Sequence, residues 1–190
     1  MSTHCEGEGR LTPEECKQMT DFTKMFEEKT RELFSLEANR ERVGELAYSN
    51  YKEFYGCSQS MLDAFQQVLG FKDDFWFKAI GGLQAGGSCG LTCGALNTGL
   101  MMIAARVGRS NIEEGHEAIL PAFEPSHRLY NWFKPMYRST VCSEITGVNF
   151  LDVNAMQAHY DSPRGEETVE KCASLTGGTA YKVAEILSQL

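Results

Sequence analysis

Apolar residues return at helical spacing along most of this chain and nowhere alternate as a strand would. From Thr12 to about Phe54, Met19, Phe22, Met25, Phe26, Leu33 and Leu36 recur at the spacing of an amphipathic helix. Thr12 reads as its cap, Pro13 suits the first turn, and Glu15 stands at the capping-box position. A break is expected near Asn39 or Gly44, and an end or kink at Gly56. In a second helix, Cys57 to Leu69, the residues Cys57, Met61, Ala64, Phe65 and Val68 share one face, which turns the Cys57 sulfur toward the core. Gly70 is its expected stop.

Phe71 to Ile80 is aromatic-rich and reads as a further short helix. A loop with five glycines, Gly81 to Gly90, then leads into a helix expected from about Cys89 or Gly90 to Val107. That helix is rich in small residues (Gly94, Ala95, Gly99, Ala104, Ala105), so another helix can approach it closely, within the chain or across a homodimer. Ser126 is expected to cap a helix through Trp132 and Phe133, ended or kinked by Pro135. Residues 149–164 read as loop-rich, and a last helix runs from about Glu166 to Leu190 with an interruption at Gly177-Gly178. The fold class is therefore all-α, a helical bundle with a glycine-rich loop leading into a small-residue helix. Residues 1–44 form an N-terminal helical extension whose first eleven residues are expected to be mobile. Residues 45–190 form one compact cysteine-containing unit.

Charge and cysteine content narrow the function. Eighteen Lys+Arg against 26 Asp+Glu give a net charge of -8, which offers no footprint for nucleic acid or an anionic membrane. The longest apolar run, Leu96 to Val107, is broken by Asn97, Thr98 and Arg106, so no membrane span is expected. The first ten residues lack a cationic start followed by an apolar stretch, so the expected location is the reducing cytoplasm. There, clustered cysteines are metal ligands or catalytic thiols more often than disulfides. The chain has seven: Cys5, Cys16, Cys57, Cys89, Cys93, Cys142 and Cys172. An odd number cannot pair completely. Any one alone reads as a small buried hydrophobe; the set invites a functional reading.

The strongest local feature is Gly86-Gly87-Ser88-Cys89-Gly90-Leu91-Thr92-Cys93-Gly94. A thiolate at a helix N-terminus is stabilised by free amides and the helix dipole, which lowers its pKa. If the helix includes both thiols, Cys89 and Cys93 at i,i+4 share a face and can bind one metal ion or cluster. A phosphate loop is discounted, because there is no GxxxxGK[ST] and no Lys or Arg between Lys78 and Arg106. Cys57, Cys142 and Cys172 form neither a CxxC pair nor a ferredoxin run, so only the fold could bring them to one site. His4, His116, His127 and His159 fit no zinc spacing. His4-Cys5 is a candidate adventitious metal binder, and His127 reads as a surface residue. Glu144 either acts near the Cys142 sulfur or is a solvated charge, and Met101-Met102 reads as core.

Four stretches, in order, resemble the C_GCAxxG_C_C family of redox-active proteins with separated cysteines and a CGAxxG-like motif. They are Cys57 to Leu62, Gly81 through Ala95, Phe133 through Gly147, and Glu170-Lys171-Cys172 with Ala184 to Leu187. The resemblance covers roughly residues 46–190 and implies that Cys57, Cys89, Cys142 and Cys172 are the functional set. A related domain in split-Soret cytochromes looks like an iron–sulfur module within a dimer; this chain has no CxxCH for c-type haem. Two departures stand out. Leu91 occupies the Ala position, and Cys93 is an additional thiol that makes a five-thiol site, replaces a ligand or acts as a resolving cysteine.

Three functions compete. The first is an electron-transfer or redox-sensing protein with a [2Fe–2S] or [4Fe–4S] cluster on Cys57, Cys89, Cys142 and Cys172, with Cys93 in or near the first shell. The second is a metal-free thiol–disulfide protein, with Cys89 attacking and Cys93 or Cys142 resolving. The third is a helical adaptor with structural zinc or no site. Whether the chain is an oxidoreductase or an electron-transfer component, and which redox partner it meets, sequence leaves open.

Overall fold

Leu36 divides the first helical segment. In the computed structural model, which describes residues 13–190 and side chains from Lys24 onward, α1 (Pro13–Ser35) gives way at extended Leu36 to α2 (Glu37–Phe54). The tail 1–11 with its His4-Cys5 pair, the Thr12 cap, and the side chains of Glu15, Cys16, Met19 and Phe22 lie outside the described residues. The break falls earlier than Asn39 or Gly44 because Asn39 and Arg40 serve the α1 end instead. Asn39 Nδ2 donates to the Leu33 carbonyl at 2.7 Å and Arg40 Nη1 to that of Phe34 at 2.7 Å. These bonds satisfy carbonyls that a helix end leaves without partners.

Gly44 sits inside α2 for another reason, one it shares with Gly177. The last helix, α9 (Pro163–Leu187), crosses α2 so closely that a Cβ on Gly177 would stand 2.8 Å from the Gly44 carbonyl oxygen. The expected interruption of α9 at Gly177-Gly178 does not occur: Gly177 admits α2 to the α9 surface, and Gly178 leaves room for the Tyr137 hydroxyl.

The second helix forms as the sequence predicts: α3 (Cys57–Leu69) starts after left-handed Gly56 and stops at left-handed Gly70. Asp73 caps the short α4 (Asp74–Ile80) by accepting the Trp76 amide at 2.9 Å. The small-residue helix α5 (Gly94–Val107) begins four or five residues later than expected, so it excludes Cys89. In α6 (Phe123–Tyr137), Ser126 lies inside the helix and Pro135 does not end it; left-handed Arg138 does. Cys142 opens the single-turn α7 (Cys142–Thr146). The polar stretch 149–164 is not all loop. Asp152 accepts the Asn154 and Ala155 amides, both at 3.0 Å, and so starts α8 (Val153–Tyr160).

The described residues are thus an all-α bundle whose only extended pairing is an isolated bridge between Thr92 and Val141. Its core runs between α1, α2, α3, α5, α6 and α9, where Phe34, Met61, Phe65, Ile103, Leu129 and Phe133 are fully buried. Phe34 and Phe65 meet edge to face at 5.7 Å. Met102 is core as expected, and Gly94, Ala95 and Gly99 of α5 are buried within the chain. No helix of the described residues is long and apolar enough to cross a membrane.

Candidate functional site

Three helix starts carry a cysteine. Cys57 is the first residue of α3, Cys93 is the residue that caps α5, and Cys142 is the first residue of α7. The fourth, Cys172, lies in the middle of α9. All four line one cavity of about 800 Å³, which α8 closes from the other side through Met156, Gln157 and Tyr160. All four, like Cys89, are free thiols.

Local pairing explains how distant stretches meet. The Cys93 amide donates to the Thr140 carbonyl at 2.8 Å, and the Cys142 amide to the Leu91 carbonyl at 2.6 Å. With the Thr92–Val141 bridge, these bonds hold the start of α5 against the start of α7. Ser143 adds a hydroxyl bond to the Gly90 carbonyl at 3.0 Å. Cys57 meets the start of α5 from the other side: a Cβ on Gly94 would lie 2.7 Å from Cys57 Sγ and 2.6 Å from the Leu83 carbonyl oxygen. Gly94 is glycine because a neighbouring sulfur occupies the space of a side chain.

Burial decides the protonation of these thiols. It pushes Cys57 up, against hydrogen bonds from the backbone amides of Ala85, Ala95, Ser58 and Gly94. Cys93 is pushed well above the ordinary range by burial and by the adjacent Cys57, against the amides of Leu96 and Ala95. Burial, with Cys57 and Cys172 nearby, raises Cys142 to about 12. Cys172 is raised to about 11, chiefly by burial, while a hydrogen bond from Tyr51 works the other way. The sequence expectation of a lowered pKa at the helix N-terminus is therefore corrected. The thiol that stands there is Cys93, and desolvation outweighs the helix amides. Without a metal, all four are neutral thiols at pH 7.

Cys89 is elsewhere. It sits exposed in the turn Gly86–Gly90 and is not part of the cavity wall. The backbone there is left-handed at Ala85, Gly86, Gly87, Ser88 and Gly90, a path that carries Cys89 out before the chain returns at Cys93. The i,i+4 shared face does not form, because neither thiol lies within regular helix. The group brought together is Cys57, Cys93, Cys142 and Cys172; Cys89, part of the set that the resemblance implied, stands apart. The CGAxxG-like motif does not separate the two: Cys93-Gly94-Ala95 spells its start but has Thr98 at the last glycine, whereas Cys89-Gly90 has Leu91 for alanine and ends on Gly94.

Other candidates fall away from the cavity. Glu144 is exposed and accepts the Ser139 hydroxyl. His116 and His127 are exposed, and His159 Nε2 pairs with Thr168 Oγ1 at 2.8 Å. Sequence reasoning missed Tyr51 and Tyr160, which line the cavity among the thiols. Nothing in their local sequence marks them, since they belong to different helices. Among the described residues, no three His, Cys, Asp or Glu side chains are close enough together to hold a single metal ion. The donors nonetheless fit a metal–sulfur group in kind: soft thiols on one cavity wall, with backbone amides directed at two of the sulfurs.

Fold and site define an all-α protein with a convergent four-cysteine centre. The family described as "Putative redox-active protein (C_GCAxxG_C_C)" matches residues 55–186, and the chain belongs to it. Its redox character is thereby a property of the family. No curated protein and no solved structure matches the chain at a significant level.

Proposed function

We propose that the protein holds an iron–sulfur cluster on Cys57, Cys93, Cys142 and Cys172 and serves in electron transfer or redox sensing. The observation that carries this reading is the convergence of four thiols, from four helices far apart in sequence, on one cavity. Burying four thiols around a space is costly unless something fills it.

The spread of the sulfurs around the cavity favours a polynuclear cluster, in which each iron takes protein sulfur separately. A single zinc ion would need all four about 2.3 Å from one point. When bound, such a cluster supplies one-electron chemistry. The chain does the rest. The thiols surrender their protons on binding, so loading is coupled to proton release. Amides of Ser58, Gly94, Ala95 and Leu96 stabilise negative charge on Cys57 and Cys93. Ile145 and Val169 give the cavity apolar wall beside the sulfurs.

A metal-free thiol–disulfide role is less well served: Cys89, the attacking thiol it calls for, is exposed but stands outside the cavity wall, and burial holds its would-be resolving partners Cys93 and Cys142 protonated.

Purification without oxygen, with visible spectrum and iron, sulfide and zinc per chain, tests the proposal. A brown protein with iron and acid-labile sulfide is expected. A colourless protein that takes up neither, even after anaerobic reconstitution, would overturn the cluster; stoichiometric zinc would point to a structural site.

A further inference from the structure

Cys172 differs from Cys57 and Cys93 in what can stabilise its charge. Cys57 and Cys93 stand at helix starts, where the first amides lack partners within the helix and are free to bond a sulfur. Cys172 lies in the middle of the 25-residue α9, where the amides are committed to the helix ladder. Its own carbonyl is engaged as well, accepting the Thr176 hydroxyl at 2.7 Å. A charged sulfur there needs a donor from a side chain.

Tyr51 provides one. It projects from α2, the helix packed against α9, and is 6% exposed. Its side chain lines the same cavity as Cys172 and works against the rise of that thiol's pKa, and its ring is held edge to face against Tyr55 at 6.2 Å. A phenol is an O–H at neutral pH and can only donate to a thiolate. We propose that Tyr51 is a positioning residue of the redox centre, whose O–H donates to Cys172 Sγ and sets the reduction potential by stabilising the more negative, reduced state. The inference rests on the cluster reading and assigns a residue outside the cysteine set to the same site. Hydrogen bonds to cluster sulfurs raise the potential, so removing this one lowers it.

The test compares Tyr51→Phe with Tyr48→Phe in the full, anaerobically reconstituted chain. Tyr48 lies on the same helix, but its hydroxyl bonds to Glu170 at 2.9 Å, outside the cavity. Tyr51→Phe should keep its iron and sulfide, while its ratio of reduced to oxidised protein at a fixed potential falls about tenfold, a shift of about 59 mV for one electron. Tyr48→Phe should titrate like wild type. In pulsed electron paramagnetic resonance, wild type should show a proton coupling that disappears in D2O and in Tyr51→Phe. An unchanged potential and coupling in a loaded Tyr51→Phe would overturn the role of Tyr51 alone. Should that variant fail to fold or load, absence of the exchangeable coupling in wild type overturns the role by itself. A wild type that takes up no iron and sulfide would overturn the cluster reading first, and this role with it.

Discussion

Cys89 and Cys93 lie four residues apart in one glycine-rich segment, yet the fold separates them. Cys89 rides an exposed turn of left-handed residues, whereas Cys93 is 5% exposed at the start of α5. The difference arises at two glycines. Gly90, left-handed, turns the chain back toward the interior; Gly94 lets Cys57 close on the helix start. A cysteine is recruited to this centre by the backbone that follows it, not by nearness to another cysteine in sequence.

The largest effect should come from breaking the buried half. Gly94→Val places a side chain where Cys57 Sγ and the Leu83 carbonyl already stand. It is expected to abolish metal uptake and to cost about 1–3 kcal/mol from overpacking, read by thermal or urea unfolding. Alkylation sharpens the contrast without a mutation. In metal-free native protein at pH 7.5, iodoacetamide should label Cys89 at least roughly tenfold faster than Cys57, Cys93, Cys142 or Cys172, because thiolate character and access control the rate. Peptide mass spectrometry identifies the sites; equal rates at Cys89 and Cys93 would contradict the burial difference.

A smaller effect is the alkaline stability of the metal-free protein. Cys142 and Cys172 are raised to about 12 and about 11 in the folded state. Raised pKa values mean that the folded state binds more protons than the unfolded one above about pH 8.5. Their contribution is therefore present below that pH and is lost as pH rises through 11 to 12. The melting temperature should fall between pH 8 and pH 11, and loading with metal should remove that dependence. The smallest effect belongs to the exposed half: Gly87→Ala, at a φ of 67° where a Cβ would meet only the Gly82 carbonyl oxygen at 3.9 Å, should cost about 1 kcal/mol in unfolding and leave metal content unchanged.

The helices were legible wherever periodicity and a stop coincided, as in α3 between Gly56 and Gly70. Glycines misled where they serve contact instead of punctuation. Gly44 and Gly177 look like breaks in one dimension, but they are where α2 and α9 touch. The start of α5 was misplaced because free amides and a small residue occur at Gly90 and at Gly94 alike. Only the pairing of residues 91–93 with 140–142 decides between them. Cys57, Cys142 and Cys172 could be singled out through the ordered resemblance. Tyr51 could not, since its role depends on a helix packing partner more than a hundred residues away.

The most direct test of the central claim is iron and acid-labile sulfide per chain in Cys93→Ser beside Cys89→Ser, both reconstituted without oxygen. The account predicts that Cys93→Ser loses most of its iron and its visible absorption while Cys89→Ser keeps wild-type content. Loss in Cys89→Ser with retention in Cys93→Ser would contradict it.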